Sequence, residues 1–296
     1  MRYFITGSAG FIGQNLIKNI GMANVCAGYD IADSPVENLY NVDHLRHAME
    51  TFRPDAVVHL AAETSVPGSF GNPALHIENN YIGTQNVFFT AQSAGVKQFV
   101  FASSCAAEKM GSPYAVSKAA AEQFLESEMR GYKSLGVPEF WYNILRFANV
   151  YGPGSDKKSS VIARFCREVL ESNSVTINGE GSQMRDFVHV DDVCRAIMHV
   201  TKEICPPGPH YVGTNQMTSI NELVRLLEDA RGNQDVVDPP IVVKRGPEDV
   251  ADGIPHIDCP TVPGWEAKTR LESGLVSTYN YFYQKAVSER RDCTVM

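Results

Sequence analysis

Tyr114 and Lys118 form the most chemically suggestive pair in the chain. They lie four residues apart in a segment with helical periodicity, so their side chains share one face of the predicted helix. An ammonium beside a phenol favours the phenolate, which can take a proton from a hydroxyl group. Ser104, near the end of the preceding predicted strand, can hydrogen-bond the same oxygen. Because a Tyr-x-x-x-Lys spacing alone is usually an ordinary helix pattern, its meaning depends on the surrounding elements.

The chain opens with a glycine-rich turn. Gly7, Gly10 and Gly13 follow a predicted strand and open a predicted helix. In that context the glycines permit a tight turn, close approach of a pyrophosphate and close helix–strand packing, while the helix N-terminus offers free N–H groups. The second predicted strand ends at Asp30, 17 residues after the last glycine. A carboxylate there accepts hydrogen bonds from an adenosine ribose and repels a 2′-phosphate, which favours NAD over NADP. The competing interpretation is a structural turn with a surface aspartate.

Short β-branched runs alternate with amphipathic segments through the first half, a pattern typical of parallel strands joined by helices. The predicted strands are Tyr3–Thr6, Val25–Asp30, Ala56–Leu60, Phe99–Ser103 and Trp141–Phe147. The predicted helices between them are Phe11–Ile20, Leu45–Phe52, Pro73–Ala94 and Pro113–Leu135. Beyond residue 150 we predict helices at Val161–Glu171, Val190–Lys202, Ser219–Ala230 and Thr269–Ala286, with strands at Val175–Asn178 and His210–Val212. The fold class is therefore α/β.

Further motifs occur in a consistent order along the chain. They are His59-Leu60-Ala61-Ala62, Asn79-Asn80-Tyr81-Ile82-Gly83-Thr84, Ser103-Ser104, Tyr114 to Lys118, Leu145 to Pro153, Arg185 to Asp192, Arg245-Gly246-Pro247-Glu248 and Gly264-Trp265. Together with the glycine turn, they resemble the extended short-chain dehydrogenase/reductase family, in its nucleotide-sugar epimerase/dehydratase branch, over nearly the whole chain. The resemblance implies a Rossmann-type doubly wound parallel sheet with a smaller C-terminal α/β substrate lobe. It implies an NAD-binding domain over residues 1–148, to which residues 189–212 return, and a nucleotide-sugar-binding domain over residues 149–296.

The resemblance also assigns residues to the cofactor, NAD. These are Gly7, Gly10, Phe11, Ile12, Gly13, Asp30, Asn38, Leu60, Ala61, Ala62, Asn79, Ser103, Tyr114, Lys118 and Phe147. Asn79 is expected to support the sheet and the cofactor pocket, and Lys118 to hold the nicotinamide ribose. Asn38 is the expected adenine contact, with Asp43 as the competing choice.

The catalytic residues implied are Ser104, Tyr114 and Lys118, with Tyr114 as the base. The implied substrate-binding residues are Ser104, Asn149, Val161, Thr176, Arg185, Arg245 and Glu248. Two arginines converging on a diphosphate are physically reasonable. For Arg185 the alternative is a structural salt bridge to Asp186 or Asp191.

The segment between Ser104 and Tyr114 departs from the family pattern. The two residues are 10 positions apart, which is shorter than is usual in relatives. A sugar dehydratase needs an added acid/base pair directly after the serine, where this chain has Cys105 and Ala106. The sequence therefore favours a UDP-hexose or UDP-N-acetylhexosamine 4-epimerase that passes through a 4-keto intermediate. The alternatives are a 4,6- or 5,6-dehydratase that uses Cys105 and Glu108, and a non-catalytic dinucleotide-binding regulator, against which the intact Ser104, Tyr114 and Lys118 argue.

Composition excludes several other classes. The 26 Lys+Arg against 34 Asp+Glu give a net charge of −8, with no long basic block, so nucleic acid and anionic membranes are poor partners. No apolar run approaches the roughly 18 residues of a spanning helix, and we expect no cleavable signal before the first strand. The seven cysteines lack a Cys-x-x-Cys pair, which favours a reducing, cytoplasmic location and no metal site. A homodimer, formed through the helices that begin at Pro73 and Pro113, is expected by resemblance alone.

Overall fold

A computed structural model describes residues 1–21, 24–135, 140–203, 205–206, 208–232, 239–247 and 259–292. The strands are β1 Arg2–Thr6, β2 Val25–Tyr29, β3 Ala56–His59, β4 Gln98–Ser104, β5 Trp141–Phe147, β6 Asn149–Tyr151, β7 Ser174–Asn178, β8 Met184–His189, β9 Pro209–Val212, β10 Met217–Ser219 and β11 Val242–Gly246. The helices are α1 Phe11–Ile20, α2 Val42–Phe52, α3 Val66–Gly71, α4 Pro73–Ile77, α5 Gly83–Ser93, α6 Pro113–Leu135, α7 Val161–Ser172, α8 Val190–Val200, α9 Ile220–Arg231 and α10 Leu271–Asp292. A π-helical turn spans Glu78–Ile82, and a 3₁₀ turn spans Cys105–Glu108.

Six strands form one sheet in the order β2-β1-β3-β4-β5-β9, and every neighbouring pair is parallel. The strand order reverses at β1, which has β2 on one side and β3 on the other. In such sheets ligands bind outside the carboxyl ends of the strands at the reversal, so β1 and β3 define the expected site. The predicted α/β class with a parallel Rossmann-type sheet is confirmed.

Chain contacts divide the protein into two compact units. Unit 1 comprises Met1–Phe147, Val193–Val212 and Ile257–Trp265, and unit 2 comprises Ala148–Asp192, Gly213–His256 and Glu266–Met296. The core of unit 1 is formed by aromatic and aliphatic side chains of the sheet and its helices, with Phe4, Phe88 and Phe99 fully buried. The core of unit 2 gathers α7, α9 and α10 around Tyr151, Phe165 and Phe187. The assignment of cofactor and sugar to the predicted domains remains a prediction.

The predicted helix Pro73–Ala94 is interrupted, which the residue pattern did not indicate. The π-helical turn separates α4 from α5, and the Thr84 hydroxyl inside α5 donates back to the carbonyl of Asn80 at 2.6 Å. Single π turns often mark functional positions, because the extra residue redirects side chains. Here the turn accompanies an inward-facing Asn80, whose exposure is 0%.

Several short elements were absent from the prediction, namely α3, β6, β8, β10 and β11. Strands of three residues are too short to show an alternating pattern. Segment α3 contains Pro67 and Gly68, which are normally breakers, yet the Ser65 hydroxyl caps it by accepting from the Gly68 N–H at 3.0 Å. Among the described residues, no helix is long and apolar enough to cross a membrane.

Candidate active site

The glycine turn after β1 forms a tight cradle. Gly7 has a φ of +73°, and a Cβ there would lie 2.6 Å from the backbone nitrogen of Ala61. A Cβ on Gly13 would lie 2.3 Å from the Gly7 carbonyl oxygen, so side chains are excluded on both sides of the turn. The Ser8 hydroxyl is buried here without a hydrogen-bond partner. The close approach of backbone segments and the N-terminus of α1 fit a bound pyrophosphate.

Asp30 lies where the ribose acid was expected, directly after β2. Its two carboxylate oxygens accept from the backbone N–H groups of Ala9 and Ala32, each at 2.9 Å. The carboxylate is thus tied to the glycine turn itself. Asn38 accepts from the Tyr40 N–H at 3.0 Å through its side-chain oxygen, whereas Asp43 pairs with Arg46 on the surface. The choice between Asn38 and Asp43 as the adenine contact stays a prediction.

The remaining residues assigned to the cofactor lie at or just beyond the carboxyl ends of strands in unit 1. Phe11 and Ile12 are half-buried at the start of α1, and Leu60, Ala61 and Ala62 are half-buried directly after β3. The Leu60 N–H donates to the Thr6 carbonyl at 3.1 Å. Phe147, buried at the end of β5, lies in register with Ser104 on β4.

The supporting asparagine is Asn80, which corrects the expectation for Asn79. The Asn80 side chain accepts from the Glu63 N–H at 2.8 Å and donates to the Glu63 carbonyl at 2.9 Å. It also donates to the Ser117 hydroxyl on α6 at 2.9 Å. Asn80 therefore fixes the segment after β3 to the helix that carries Tyr114. The sequence contains two adjacent asparagines, and only their burial distinguishes them.

His59 connects the same region through a chain of hydrogen bonds. Its Nδ1 lies 2.6 Å from the Thr6 hydroxyl, and its Nε2 lies 3.0 Å from the Thr84 hydroxyl. Because the Thr84 proton goes to the Asn80 carbonyl, Nε2 must carry the imidazole proton and Nδ1 must accept. Burial, followed by the charge of Lys118, lowers the pKa of His59 to about 3, so the ring is neutral.

Ser104 and Tyr114 meet through their side chains. Burial raises the pKa of Tyr114, the hydrogen bond with Ser104 works in the opposite direction, and the neighbouring Cys105 raises it again. The Ser104 hydroxyl also accepts from the Ala106 N–H at 3.2 Å. For the chain alone, desolvation is the largest cause of the Tyr114 shift, and the charge of Lys118 is not among the causes.

Lys118 is buried, with 3% of its surface exposed. Its ammonium donates to the Ala102 carbonyl at 2.8 Å and lies 4.8 Å from the centre of the Phe101 ring. A buried ammonium held by a strand carbonyl is fixed in place close to the ends of β3 and β4. This position suits a hydrogen bond to a ribose hydroxyl of the dinucleotide.

A buried ionic cluster links β4, α6 and β5, and the residue pattern did not predict it. Glu122 accepts from the Ser103 hydroxyl at 2.5 Å and from Arg146 at 2.8 to 3.2 Å through two guanidinium nitrogens. The Ser103 side chain is thus turned to Glu122, so the backbone of Ser103 is the part available to the cofactor. Glu122 lies four residues after Lys118 and eight after Tyr114, so helical spacing alone could have placed it on the same face.

Cys105 and Glu108, the proposed dehydratase pair, both face Arg146. The Cys105 thiol lies 3.6 Å from the Arg146 carbonyl, and the Glu108 carboxylate lies 3.4 Å from its guanidinium. Residues three apart in a 3₁₀ turn share one side, which explains why both reach the same residue. Both groups are therefore engaged in holding β5.

Unit 2 carries most of the residues assigned to the substrate. The Asn149 amide donates to the Asp186 carbonyl at 3.1 Å, and Arg185 donates to the Met184 carbonyl at 2.9 Å. The Asp186 carboxylate binds the backbone N–H groups of Thr214 and Asn215. Asp186 thereby fixes the turn that leads into β10.

The parallel pair β7–β11 and helix α7 carry the others. Arg245 is exposed on β11 and donates to the Gly179 carbonyl at 3.2 Å. Thr176 lies on β7, opposite Lys244 of β11. Val161 is the first residue of α7, and the preceding Ser160 has a buried hydroxyl without a hydrogen-bond partner. Glu248 lies outside the described residues. Within the described part of the chain, no group of three or more His, Cys, Asp or Glu side chains could hold a metal.

Comparison with known proteins identifies the family. Residues 3–212 match the model of the NAD dependent epimerase/dehydratase family, and the chain belongs to it. UDP-glucose 4-epimerase of Mycolicibacterium smegmatis is 29% identical over 97% of this chain and 100% of its own. A probable dTDP-glucose 4,6-dehydratase of Sinorhizobium fredii is 28% identical over 96% of this chain and 93% of its own. The crystal structure of UDP-glucose 4-epimerase from Thermotoga maritima with UDP-glucose superposes with a TM-score of 0.80, at 29% identity, over 97% of this chain and 100% of that one.

The cofactor is NAD, as the family and its NAD-bound structures indicate. The cradle around Gly7 and Gly13 and the position of Asp30 fit this dinucleotide. The protein is accordingly an NAD-dependent enzyme of the nucleotide-sugar epimerase/dehydratase class.

Proposed function

We propose that the protein is an NAD-dependent 4-epimerase of a UDP-hexose or UDP-N-acetylhexosamine. The observation that carries the proposal is the pairing of the Ser104 and Tyr114 hydroxyls beside a buried Lys118. When bound, NAD accepts hydride from the sugar C4 and returns it. Tyr114 takes the proton of the 4-hydroxyl, and Ser104 donates a hydrogen bond to the same oxygen as it becomes a carbonyl.

The ionisation of Tyr114 needs positive charge, because burial raises its pKa. Lys118 supplies one fixed charge, and the oxidised nicotinamide is itself cationic. We infer that Tyr114 becomes an effective base only in the presence of the oxidised cofactor. The site would then remain unreactive toward hydroxyl groups in the empty chain.

In unit 2, we infer that Asn149, Arg185 and Arg245 bind the diphosphate, with Val161, Thr176 and Glu248 at the nucleoside end. Arg245 is exposed, so an anionic ligand can reach it. The partnerless Ser160 hydroxyl at the N-terminus of the 12-residue helix α7 adds a donor at an end that favours anions. These features support a nucleoside diphosphate group as the anchored part of the substrate.

The second candidate is a 4,6- or 5,6-dehydratase that uses Cys105 and Glu108. One observation favours it, namely that Cys105 lies close enough to Tyr114 to affect its pKa. Against it, the thiol and the Glu108 carboxylate both contact Arg146. An acid/base pair that must reach C5 and C6 of a sugar has to be free to move protons, so the contacts favour epimerisation. A non-catalytic regulator would have no use for a base beside a bound nicotinamide.

The test uses the purified protein with NAD and a panel of UDP-, dTDP- and GDP-sugars, with products followed by NMR. We expect a C4-inverted UDP-sugar. Tyr114→Phe should lower kcat by about 10²-fold or more, while Tyr142→Phe, which alters a tyrosine buried elsewhere in unit 1, should leave it unchanged. A 4-keto-6-deoxy or unsaturated product would favour the dehydratase, and binding without turnover would favour the regulator.

A further inference from the structure

The loop after Asp30 brings a second carboxylate back to it. The N–H groups of Asp33 and Ser34 donate to the Asp30 carbonyl at 3.0 and 3.1 Å, and the Glu37 N–H donates to the Ser34 carbonyl at 2.9 Å. These turns fold the loop so that Glu37 Oε2 accepts from the Asp30 backbone N–H at 2.8 Å. The residue expected to bind the ribose is therefore hydrogen-bonded, through its own backbone, to another acidic side chain.

The segment that carries this pair contains little positive charge. Neither lysine nor arginine occurs between Asp30 and Arg46 in the sequence, and the guanidinium of Arg46 pairs with Asp43 at 3.3 Å. The charge of Glu37 also acts on the neighbouring strand, because burial and then Glu37 raise the pKa of Tyr29 to about 12. The negative charge of Glu37 thus acts on the phenol of Tyr29, the last residue of β2.

We propose that Glu37 is a second specificity-determining residue for the dinucleotide, acting with Asp30 to exclude a 2′-phosphate. Each oxygen of Asp30 already accepts a backbone N–H, from Ala9 or from Ala32, which offsets part of its charge. Glu37 adds a full negative charge beside the same residue. A 2′-phosphate carries up to two negative charges and would meet both carboxylates in a half-buried site.

Two consequences distinguish this arrangement from one in which Asp30 acts alone. Removing the Asp30 charge should leave NADP disfavoured, because Glu37 remains. Removing the Glu37 charge should weaken the preference for NAD even though Asp30 is intact. Both concern cofactor binding and do not depend on the sugar reaction proposed above.

The test exchanges the purified protein against equimolar NAD and NADP and measures the bound ratio by chromatography after denaturation. Glu37→Gln keeps an oxygen that can accept from the Asp30 N–H while removing the charge. We expect it to raise the NADP:NAD ratio by about tenfold at low salt, and by less at about 1 M salt. Asp33→Asn, which removes one charge from the same loop, is the matched control and should change the ratio less than twofold.

Three outcomes would overturn the proposal. They are an unchanged ratio in Glu37→Gln, an equal gain in Asp33→Asn, and equal binding of NAD and NADP by Asp30→Asn with Glu37 intact. The third measurement applies even if Glu37→Gln fails to fold. Because no sugar is present, these results would leave the epimerase proposal unaffected.

Discussion

Burial opposes the role proposed for Tyr114, because a buried phenol holds its proton more tightly. The hydrogen bond with Ser104 offsets part of this cost. The Lys118 ammonium, after burial, helps to keep His59 neutral. A neutral His59 can bond two threonines at once, which links β1, β3 and α5.

Protonation of His59 should destabilise the fold. Its folded pKa of about 3 lies below the usual 6.5, so the unfolded chain binds more protons between these values. The free energy of unfolding should therefore fall as pH drops from 6.5 toward 3, with His59 contributing up to about 1.4 kcal/mol per pH unit. Urea unfolding of the wild type and His59→Gln at several pH values measures the difference in slope. Equal slopes for the two proteins would show that His59 does not titrate in this way.

At this scale the sequence predicted residue types better than residue contacts. Ser104, Tyr114 and Lys118 could be chosen as candidates because their spacing on a helix and a strand end is a local property. The choice of Asn80 over Asn79, and the pairing of Glu122 with Arg146, depend on which side chain a π turn or a neighbouring strand buries. Such contacts join residues 24 or 37 positions apart, so no local pattern determines them.

At the scale of elements, different glycines of the turn after β1 serve the packing of the protein and the binding of the cofactor. Gly13 allows backbone segments of the protein to approach each other, whereas Gly10 is assigned to the approach of the cofactor. A Cβ at Gly13 would meet backbone atoms at 2.3 and 2.8 Å, but the nearest atom to one at Gly10 is at 3.1 Å. A side chain at Gly13 should therefore impair folding, whereas one at Gly10 should impair binding of the cofactor.

Gly13→Ala should lower the melting temperature and abolish NAD binding, because the clash involves backbone that cannot move aside. Gly10→Ala should leave the melting temperature of the empty protein within a few degrees of the wild type while weakening NAD binding severely. Gly71→Ala, where a Cβ would have no atom within 4 Å, is the control for both measurements. Scanning calorimetry and NAD titration report the two quantities. Tight NAD binding by Gly10→Ala would contradict the assignment of this turn to the pyrophosphate.

Several elements were predicted closely, whereas the helix predicted at Pro73–Ala94 is interrupted and the shortest strands were missed. The bounds of α1, α6 and β5 match the sequence prediction, because each shows a clear periodicity or a proline start. The shorter strands of unit 2 are held by pairing with β8 and β7, so their existence depends on partners far along the chain. The short segment after Ser104 was recognised from sequence, but its 3₁₀ turn toward Arg146 was not.

At the scale of the whole molecule, several apolar side chains on the helices of unit 1 are exposed. Leu75, Ile82 and Phe89 recur every seven residues along α4, the π turn and α5, and each is 37 to 43% exposed. Val116 on α6 is 41% exposed. We infer that these residues form a homodimer interface, because exposed apolar side chains on helices are typical of surfaces that pair with another chain.

We expect the wild type to be a dimer and Phe89→Glu to be a monomer, since a carboxylate would be buried without a partner in the inferred interface. Light scattering after size exclusion measures the mass. Tyr283→Glu, which alters an aromatic residue of similar exposure on α10, is the control and should leave the mass unchanged. A wild-type protein that is monomeric at micromolar concentration would contradict the inference.

The most direct test of the proposed reaction uses UDP-hexoses and UDP-N-acetylhexosamines deuterated at C4, incubated with the NAD-loaded protein. We expect the wild type to form a C4-inverted product that retains the deuterium at C4. Tyr114→Phe should not form this product at the wild-type rate. Deuterium found at C6 of a 4-keto-6-deoxy product, or inversion that persists at the wild-type rate in Tyr114→Phe, would contradict this expectation.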